Sequence, residues 1–259
     1  MIESLNSPHV ARVKALIGSR GVKERKNAGQ FVAEGLQCAR EALVAESGPR
    51  IETLYLTANG RNKVEEFADL SQFNTVDVSD EVMKLMSETI TPQGIIAICT
   101  IPTTQLDSIA LNGSRRFIYL SEVQDPGNAG TILRSADAFG MDAVITSPGS
   151  VDMFSPKVVR STAGSLWHIP VFESILLEDL VGPGVRGFTL GATGSKSLNE
   201  YVSTGDTVAI FGNESRGLTS SENLSCIESV NIPMPGNAES LNLSAAASIV
   251  MYHLSNIPR

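Results

Sequence analysis

Three separated polar clusters hold the side chains best able to do chemistry. In EVQDPGNAGTILRSADAFG, Asn128 and Arg134 stand six residues apart across the start of a helical segment. In FGNESRGL, the side chains of Asn213, Glu214 and Arg216 are grouped between glycines directly after an apolar run ending at Phe211. In IPMPGNAESLNLSAAASI, prolines, a glycine and asparagines separate a strand-like run from an Ala-rich one. A carboxamide can donate and accept at one site. A guanidinium stays charged at neutral pH, which makes it a poor general base and a good partner for phosphate or for developing negative charge on oxygen. Each cluster taken singly also has the composition of an ordinary polar turn.

The common alternatives fail on spacing. No strand-like run is followed by G-x-G-x-x-G, the turn that brings a backbone against a dinucleotide. GATGSKS at 191–197 imitates a phosphate-binding loop, but Leu190 takes the place of its first glycine and Ser195 that of the glycine before the lysine. GNESRG is not a nucleophile elbow, since Gly212 lies three residues before Ser215 rather than two. The histidines are His9, His168 and His253, and partial burial is expected for the last two. Cys38, Cys99 and Cys226 are odd in number and far apart, which fits buried free thiols better than a disulfide framework or a zinc site. A serine or metal hydrolase therefore has little support, and no metal is expected.

The elements that must position these clusters follow from periodicity. QFVAEG reads as a strand feeding the helix LQCAREALVAE, with Leu36, Ala39, Leu43 and Val44 on one face. IETLYLT, NTVDVS and GIIAICT are strand-like, NKVEEFADL and DEVMKLMSE helical, and Asp80 is the expected N-cap of the latter. The Pro- and Gly-containing stretch after Thr100 is the expected linker, at 104–114. From Phe117 the order begins again with FIYL, a helix ending near Gly140 and DAVITS. Ser155 and Pro156 then open a further helix. GFTLGAT, DTVAIFG and ESVNIPM are β-rich, and an Ala-rich helix follows. Strands alternating with helices predict a mostly parallel sheet covered on both faces, and polar clusters just after strands fall where such sheets place their sites.

With 259 residues, 42% of them hydrophobic and 19% charged, the chain can build two packed cores, and a division into 1–103, a linker and 115–259 is expected. It contains no apolar run of about 18 residues and its N-terminus lacks a signal peptide's apolar core, so a cytoplasmic protein is expected. The net charge of −8 opposes binding to nucleic acid, yet it is polarised. Residues 1–40 carry Arg12, Lys14, Arg20, Lys23, Arg25, Lys26 and Arg40 against Glu3, Glu24 and Glu34, which leaves about −12 for the remainder. A basic run of this kind is also what a solvated helix face carries.

In order and spacing the three clusters resemble the motifs of the SpoU/TrmH family of RNA ribose 2′-O-methyltransferases, within the SPOUT class. The resemblance covers about 115–259. A weaker one, carried by FVAEG and TPQGIIAI, relates the first hundred residues to the substrate-binding domain of ribosomal RNA members. It implies a small N-terminal L30e-like α/β RNA-binding domain and a C-terminal parallel-sheet α/β domain with a trefoil knot. It also implies methyl transfer from S-adenosylmethionine to a ribose 2′-hydroxyl, with 23S ribosomal RNA favoured; the alternatives are a transfer RNA substrate or a catalytically silent RNA-binding module. Carried over by position, Asn128, Arg134, Glu214 and Asn242 are the implied catalytic residues. Thr193, Gly212, Ile232, Met234, Leu241 and Ser244 are the implied cofactor neighbours. The implied RNA contacts are Arg12, Lys14, Arg20, Lys23, Arg25, Lys26 and Arg216. A homodimer through the C-terminal domain belongs to the same expectation.

Overall fold

The computed structural model describes residues 1–103, 106, 111, 113–182, 184–191, 194, 196–203, 205–213 and 227–259. Two compact units emerge, one of Met1–Thr103 with Asp152–His168 and one of Thr104–Val151 with Ile169–Arg259.

The first unit opens with α1 (Pro8–Ile17), started by the Ser7 hydroxyl and Pro8 at the first helical position, and burying Val10, Val13 and Leu16 along one face. There follow α2 (Gly21–Ala28), β1 (Gln30–Glu34), α3 (Leu36–Val44), β2 (Ile51–Leu56), α4 (Ala58–Glu65), β3 (Thr75–Asp77), α5 (Asp80–Met86) and β4 (Ile95–Thr100). The sheet order is β1-β4-β2-β3, with β4 antiparallel to β1 and β2, and β2 parallel to β3. The alternation of strand and helix thus misleads here: the β1-α3-β2 crossover exists, but β4 is inserted between its strands. Two local expectations are corrected. The buried face of α3 is Cys38, Ala39 and Ala42, with Val44 exposed. The N-cap of α5 is Ser79, whose hydroxyl accepts from the Val82 amide at 3.2 Å, and Asp80 is the first helical residue.

In the second unit β5 (Arg116–Leu120), α6 (Pro126–Ala138) and β6 (Ala143–Thr146) come first, and Gly140 ends α6 at φ 67°. The chain then supplies α7 (Pro156–Ser161) to the first unit before continuing through β7 (Val171–Phe172), α8 (Leu177–Leu180), β8 (Val185–Leu190), β9 (Lys196–Ser197), β10 (Asp206–Phe211), β11 (Ile227–Asn231) and α9 (Leu243–Ser255). The sheet runs β7-β6-β5-β10-β8-β11-β9 and each of its pairs is parallel. Strands β5, β6 and β10 are buried along their whole length, as a parallel sheet covered on both faces requires.

The segment Asp152–His168 differs from the expected division, which gives it to the second domain. It packs in the first unit because its side chains are used there. The Arg25 guanidinium donates to the Asp152 carboxylate at 2.6 and 2.8 Å, with both side chains below 10% exposure. The rings of Phe154 and Trp167 lie 5.2 and 6.1 Å from Phe31, and the Trp167 indole donates to the Pro49 carbonyl at 3.0 Å.

Candidate active site

Where β8, β10 and β11 end side by side, the chain encloses a cavity of about 420 Å³. Thr189, Leu190 and Gly191 leave β8 into its wall, and Ile210, Phe211, Gly212 and Asn213 leave β10. Ile232 and Met234 follow β11; Glu239, Ser240, Leu241 and Asn242 form the loop before α9, and Leu243 and Ala246 belong to that helix. Asn128 enters from the first turn of α6. Sites at the carboxyl ends of neighbouring parallel strands are the rule for open α/β sheets, since there the loops diverge.

Local chemistry sets each loop. Asp125 caps α6, its Oδ1 accepting from the Asn128 amide at 2.7 Å, with Pro126 at the first helical position. Asn242 caps α9: its Oδ1 accepts from the Ser244 amide at 2.9 Å, the Ala245 amide at 3.3 Å and the Ser244 hydroxyl at 2.6 Å. Those donors identify the Asn242 oxygen, so its nitrogen is the atom that donates to Asn128 Oδ1 at 3.2 Å. A second rung joins the same helices, Ser135 Oγ to Ser248 Oγ at 2.9 Å. The second cluster is tied to the first by Asn213 Nδ2, which donates 2.8 Å to the carbonyl of Glu122. Glu122 is held at φ 49°, a conformation a non-glycine residue adopts only where its surroundings impose it.

The loop that imitates a phosphate-binding sequence is instead a strand connection. Gly191 donates to the Val230 carbonyl at 3.0 Å, Asn231 Nδ2 to the Gly194 carbonyl at 2.9 Å, and β9 pairs with β11. A Cβ on Gly194 would stand 2.5 Å from Val230 C and 2.6 Å from Asn231 N, so glycine is what permits the close approach.

The walls mix aliphatic side chains and Phe211 with amides and hydroxyls, and Met234 and Leu241 are 36% and 38% exposed. Among the described lining residues Glu239 is the one charged side chain. Such a cavity suits a ligand with an apolar body and positive charge.

Of the residues singled out in the sequence, Asn128, Gly212, Ile232, Met234, Leu241 and Asn242 line this single cavity, and Ser244 joins it through Asn242. Thr193, Glu214 and Arg216 lie outside the described residues. Arg134 is exposed on α6 and does not line the cavity. Six residues along an α-helix set it about 120° around the helix from Asn128 and about 9 Å onward. In the basic run, Lys14, Arg20, Lys23 and Lys26 are exposed, and Arg12 pairs with Glu52 at 2.8 Å. Arg25 is a correction: at 4% exposure, committed to Asp152 and the Leu16 carbonyl, it is an internal structural cation and not a surface contact. His168 is also corrected, being exposed with Nε2 3.2 Å from the Glu41 carboxylate, whereas His253 is partly buried. Sequence reasoning missed Glu239, although it is the acid within the third cluster, and it missed Thr189 and Leu243, which look like ordinary strand and helix residues.

The profile of the SpoU rRNA Methylase family matches residues 115–252, and that of the MRM3-like substrate binding domain residues 8–97. The chain is 33% identical over 236 residues, 90% of its length and 91% of the relative's, to the 23S rRNA (guanosine(2553)-2'-O)-methyltransferase RlmP of Bacillus subtilis. It is 28% identical over 253 residues, 92% of its length and 86% of the relative's, to the 23S rRNA (uridine(2479)-2'-O)-methyltransferase of Streptomyces viridochromogenes. The AdoMet-bound rRNA methyltransferase of Sinorhizobium meliloti superposes with a TM-score of 0.84 at 28% identity, covering 98% of this chain and 96% of that one.

Proposed function

The chain belongs to the SpoU rRNA methylase family, and from that premise we propose that it transfers a methyl group from S-adenosylmethionine to a ribose 2′-hydroxyl of 23S ribosomal RNA. The observation that carries this is the convergence of Asn128, Gly212, Met234, Leu241 and Asn242, drawn from three distant motifs, on one cavity. The residues present fit the cofactor. Leu190, Phe211 and Leu243 offer apolar surface to an adenosyl group, and Glu239 offers the negative charge that a sulfonium and an ammonium would seek. When bound, S-adenosylmethionine supplies a methyl group on cationic sulfur, open to in-line displacement by oxygen.

This chain's residues then have to align and to balance charge. Asn242 organises the third loop with its carbonyl oxygen and orients Asn128 with its amide nitrogen. Arg134 holds the phosphate beside the target ribose and stabilises charge developing on the 2′-oxygen. Because Arg134 is turned away from its own chain's cavity, its role in this reading is to complete the site of a second copy in a homodimer. Exposed Ile249 and Tyr252 on α9, at 40% and 61%, support that pairing face. Glu214, Arg216 and Thr193 keep the loop-anchoring, phosphate and cofactor roles given by position, and the trefoil knot and cytoplasmic location complete the same reading. No helix among the described residues is long and apolar enough to cross a membrane. RNA capture falls to the first unit, through Lys14, Arg20, Lys23 and Lys26. Incubation with tritiated S-adenosylmethionine and separate ribosomal and transfer RNA pools, followed by mapping of 2′-O-methyl sites, tests the proposal. Label confined to a 23S ribose is expected, and label on base atoms or on no RNA overturns it.

A further inference from the structure

The bend that joins β5 to α6, residues 121–125, holds two of the cavity's asparagines without lining the cavity itself. Asp125, its last residue, accepts from the Asn128 amide at 2.7 Å, and the Glu122 carbonyl accepts from Asn213 Nδ2 at 2.8 Å. The Ser121 amide adds a third tie, donating to the carbonyl of Phe211 at 2.8 Å. The separation of Asn128 from Asn213 is therefore set by how this bend is folded.

The bend is not a relaxed one. Glu122 sits at φ 49°, a conformation disfavoured for any residue with a Cβ, so neighbouring contacts have to hold it. Those contacts come from the turn after β6. The hydroxyl of buried Ser147 accepts from the Glu122 amide at 2.8 Å, and the Val151 amide donates to the Val123 carbonyl at 2.8 Å. Exposed Gln124 closes the arrangement with its side chain. Its Nε2 donates to the Gly149 carbonyl at 2.5 Å and, two residues back in its own bend, to the Glu122 carbonyl at 3.2 Å. Both partners are acceptors, which identifies the nitrogen as the atom that faces them. The Glu122 oxygen thus receives one proton from Gln124 and one from Asn213, matching its two lone pairs.

We propose that Gln124 is a positioning residue for the cofactor cavity: its amide clamps the 121–125 bend to the turn after β6 and so holds Asn213 and Asn128 in place in the cavity wall. It acts through Glu122 and Asp125 and is not itself among the lining residues. The inference rests on the S-adenosylmethionine reading of the cavity and deepens it.

The test uses the full chain, with S-adenosylmethionine affinity by calorimetry, thermal melts and steady-state methylation of 23S ribosomal RNA. Gln124→Glu keeps the shape but turns an acceptor toward two carbonyls, and Gln124→Ala removes the side chain. Both are expected to weaken cofactor affinity about fivefold, the scale of one lost hydrogen bond. In both, kcat should drop about tenfold, the scale of a sub-ångström misplacement, with Tm and KM for RNA unmoved. Gln124→Arg is expected to bring affinity and kcat back to within about twofold of wild type, because its Nε takes the position of the glutamine Nε2 and its fork can donate to both carbonyls. If the wild type binds cofactor and methylates RNA, and the Glu and Ala variants match it in affinity and kcat, the clamp is idle and the inference falls alone. A loss that Gln124→Arg shares in full, or that a falling Tm tracks, makes the amide a stability contact and overturns it as well. A wild type that binds no S-adenosylmethionine takes the functional proposal and this inference down together.

Discussion

At the scale of single residues, Asn242 does two separable things. An aspartate would cap α9 as well as asparagine but cannot donate to Asn128 Oδ1, so Asn242→Asp should keep Tm while lowering methylation about tenfold or more. Asn242→Ala removes the cap as well and should cost about 1 kcal/mol of stability besides. Thermal melts read beside single-turnover methylation separate the two; equal activity of Asn242→Asp and wild type would remove the strut to Asn128 from the mechanism. Arg134 is exposed and makes no hydrogen bond or ion pair among the described residues, so Arg134→Ala should leave Tm and cofactor affinity intact. Methylation should drop by about two to three orders of magnitude, the scale seen when one transition-state donor is lost.

At the scale of elements, β11 and α3 make distinct predictions. The loop after β8 lies so close to β11 that Gly194→Ala must push Val230 and Asn231 aside. The expected result is a loss of about 1–3 kcal/mol in stability and weaker cofactor binding by calorimetry, since Ile232 and Met234 follow directly on β11. In α3, burial pushes the Cys38 thiol up to about 11, against an opposing pull from Arg160. A thiol neutral in the fold and ionising at its ordinary 9.0 when unfolded stabilises the fold fully below pH 9. That contribution, on the order of 2 kcal/mol, is lost as pH rises through about 11. Denaturant midpoints between pH 8 and 11 should therefore fall more steeply for wild type than for Cys38→Ala. Parallel curves would mean that the thiol is not a contributor.

At the scale of the whole molecule, charge and assembly decide. The acidic chain can capture an anion only where its cations are exposed. Lys14→Glu/Lys23→Glu/Lys26→Glu should therefore weaken binding to many RNAs together and flatten the salt slope, leaving cofactor affinity unchanged. Arg25 is left out of that set because removing it strands Asp152 as an unpaired buried charge, at a cost of about 3–5 kcal/mol. If Arg134 completes a partner's site, mixing Arg134→Ala with a cofactor-dead Gly212→Trp chain should restore activity to about a quarter of wild type. In a random two-fold mixture half the dimers are mixed, and each has one whole site. Activity no greater than the sum of the two parents would assign Arg134 to its own chain's cavity.

The sequence by itself determined the three motifs, most strands and helices, the parallel second sheet and the position of the polar clusters after strands. All of these are local: periodicities of two and 3.6, cap residues and turn glycines report on neighbours a few positions away. It placed Asn128, Gly212 and Asn242 in one site only through a resemblance, because the contact between Asn128 and Asn242 spans 114 positions and depends on which strands lie side by side. Tertiary structure alone inserted β4 between β1 and β2, buried Arg25 against Asp152 across 127 positions, and moved residues 152–168 into the first unit. It also turned Arg134 off the cavity that Asn128 faces. A basic residue in a helix looks the same in sequence whether its guanidinium meets water or a carboxylate from a distant segment, and only the packing of that segment decides.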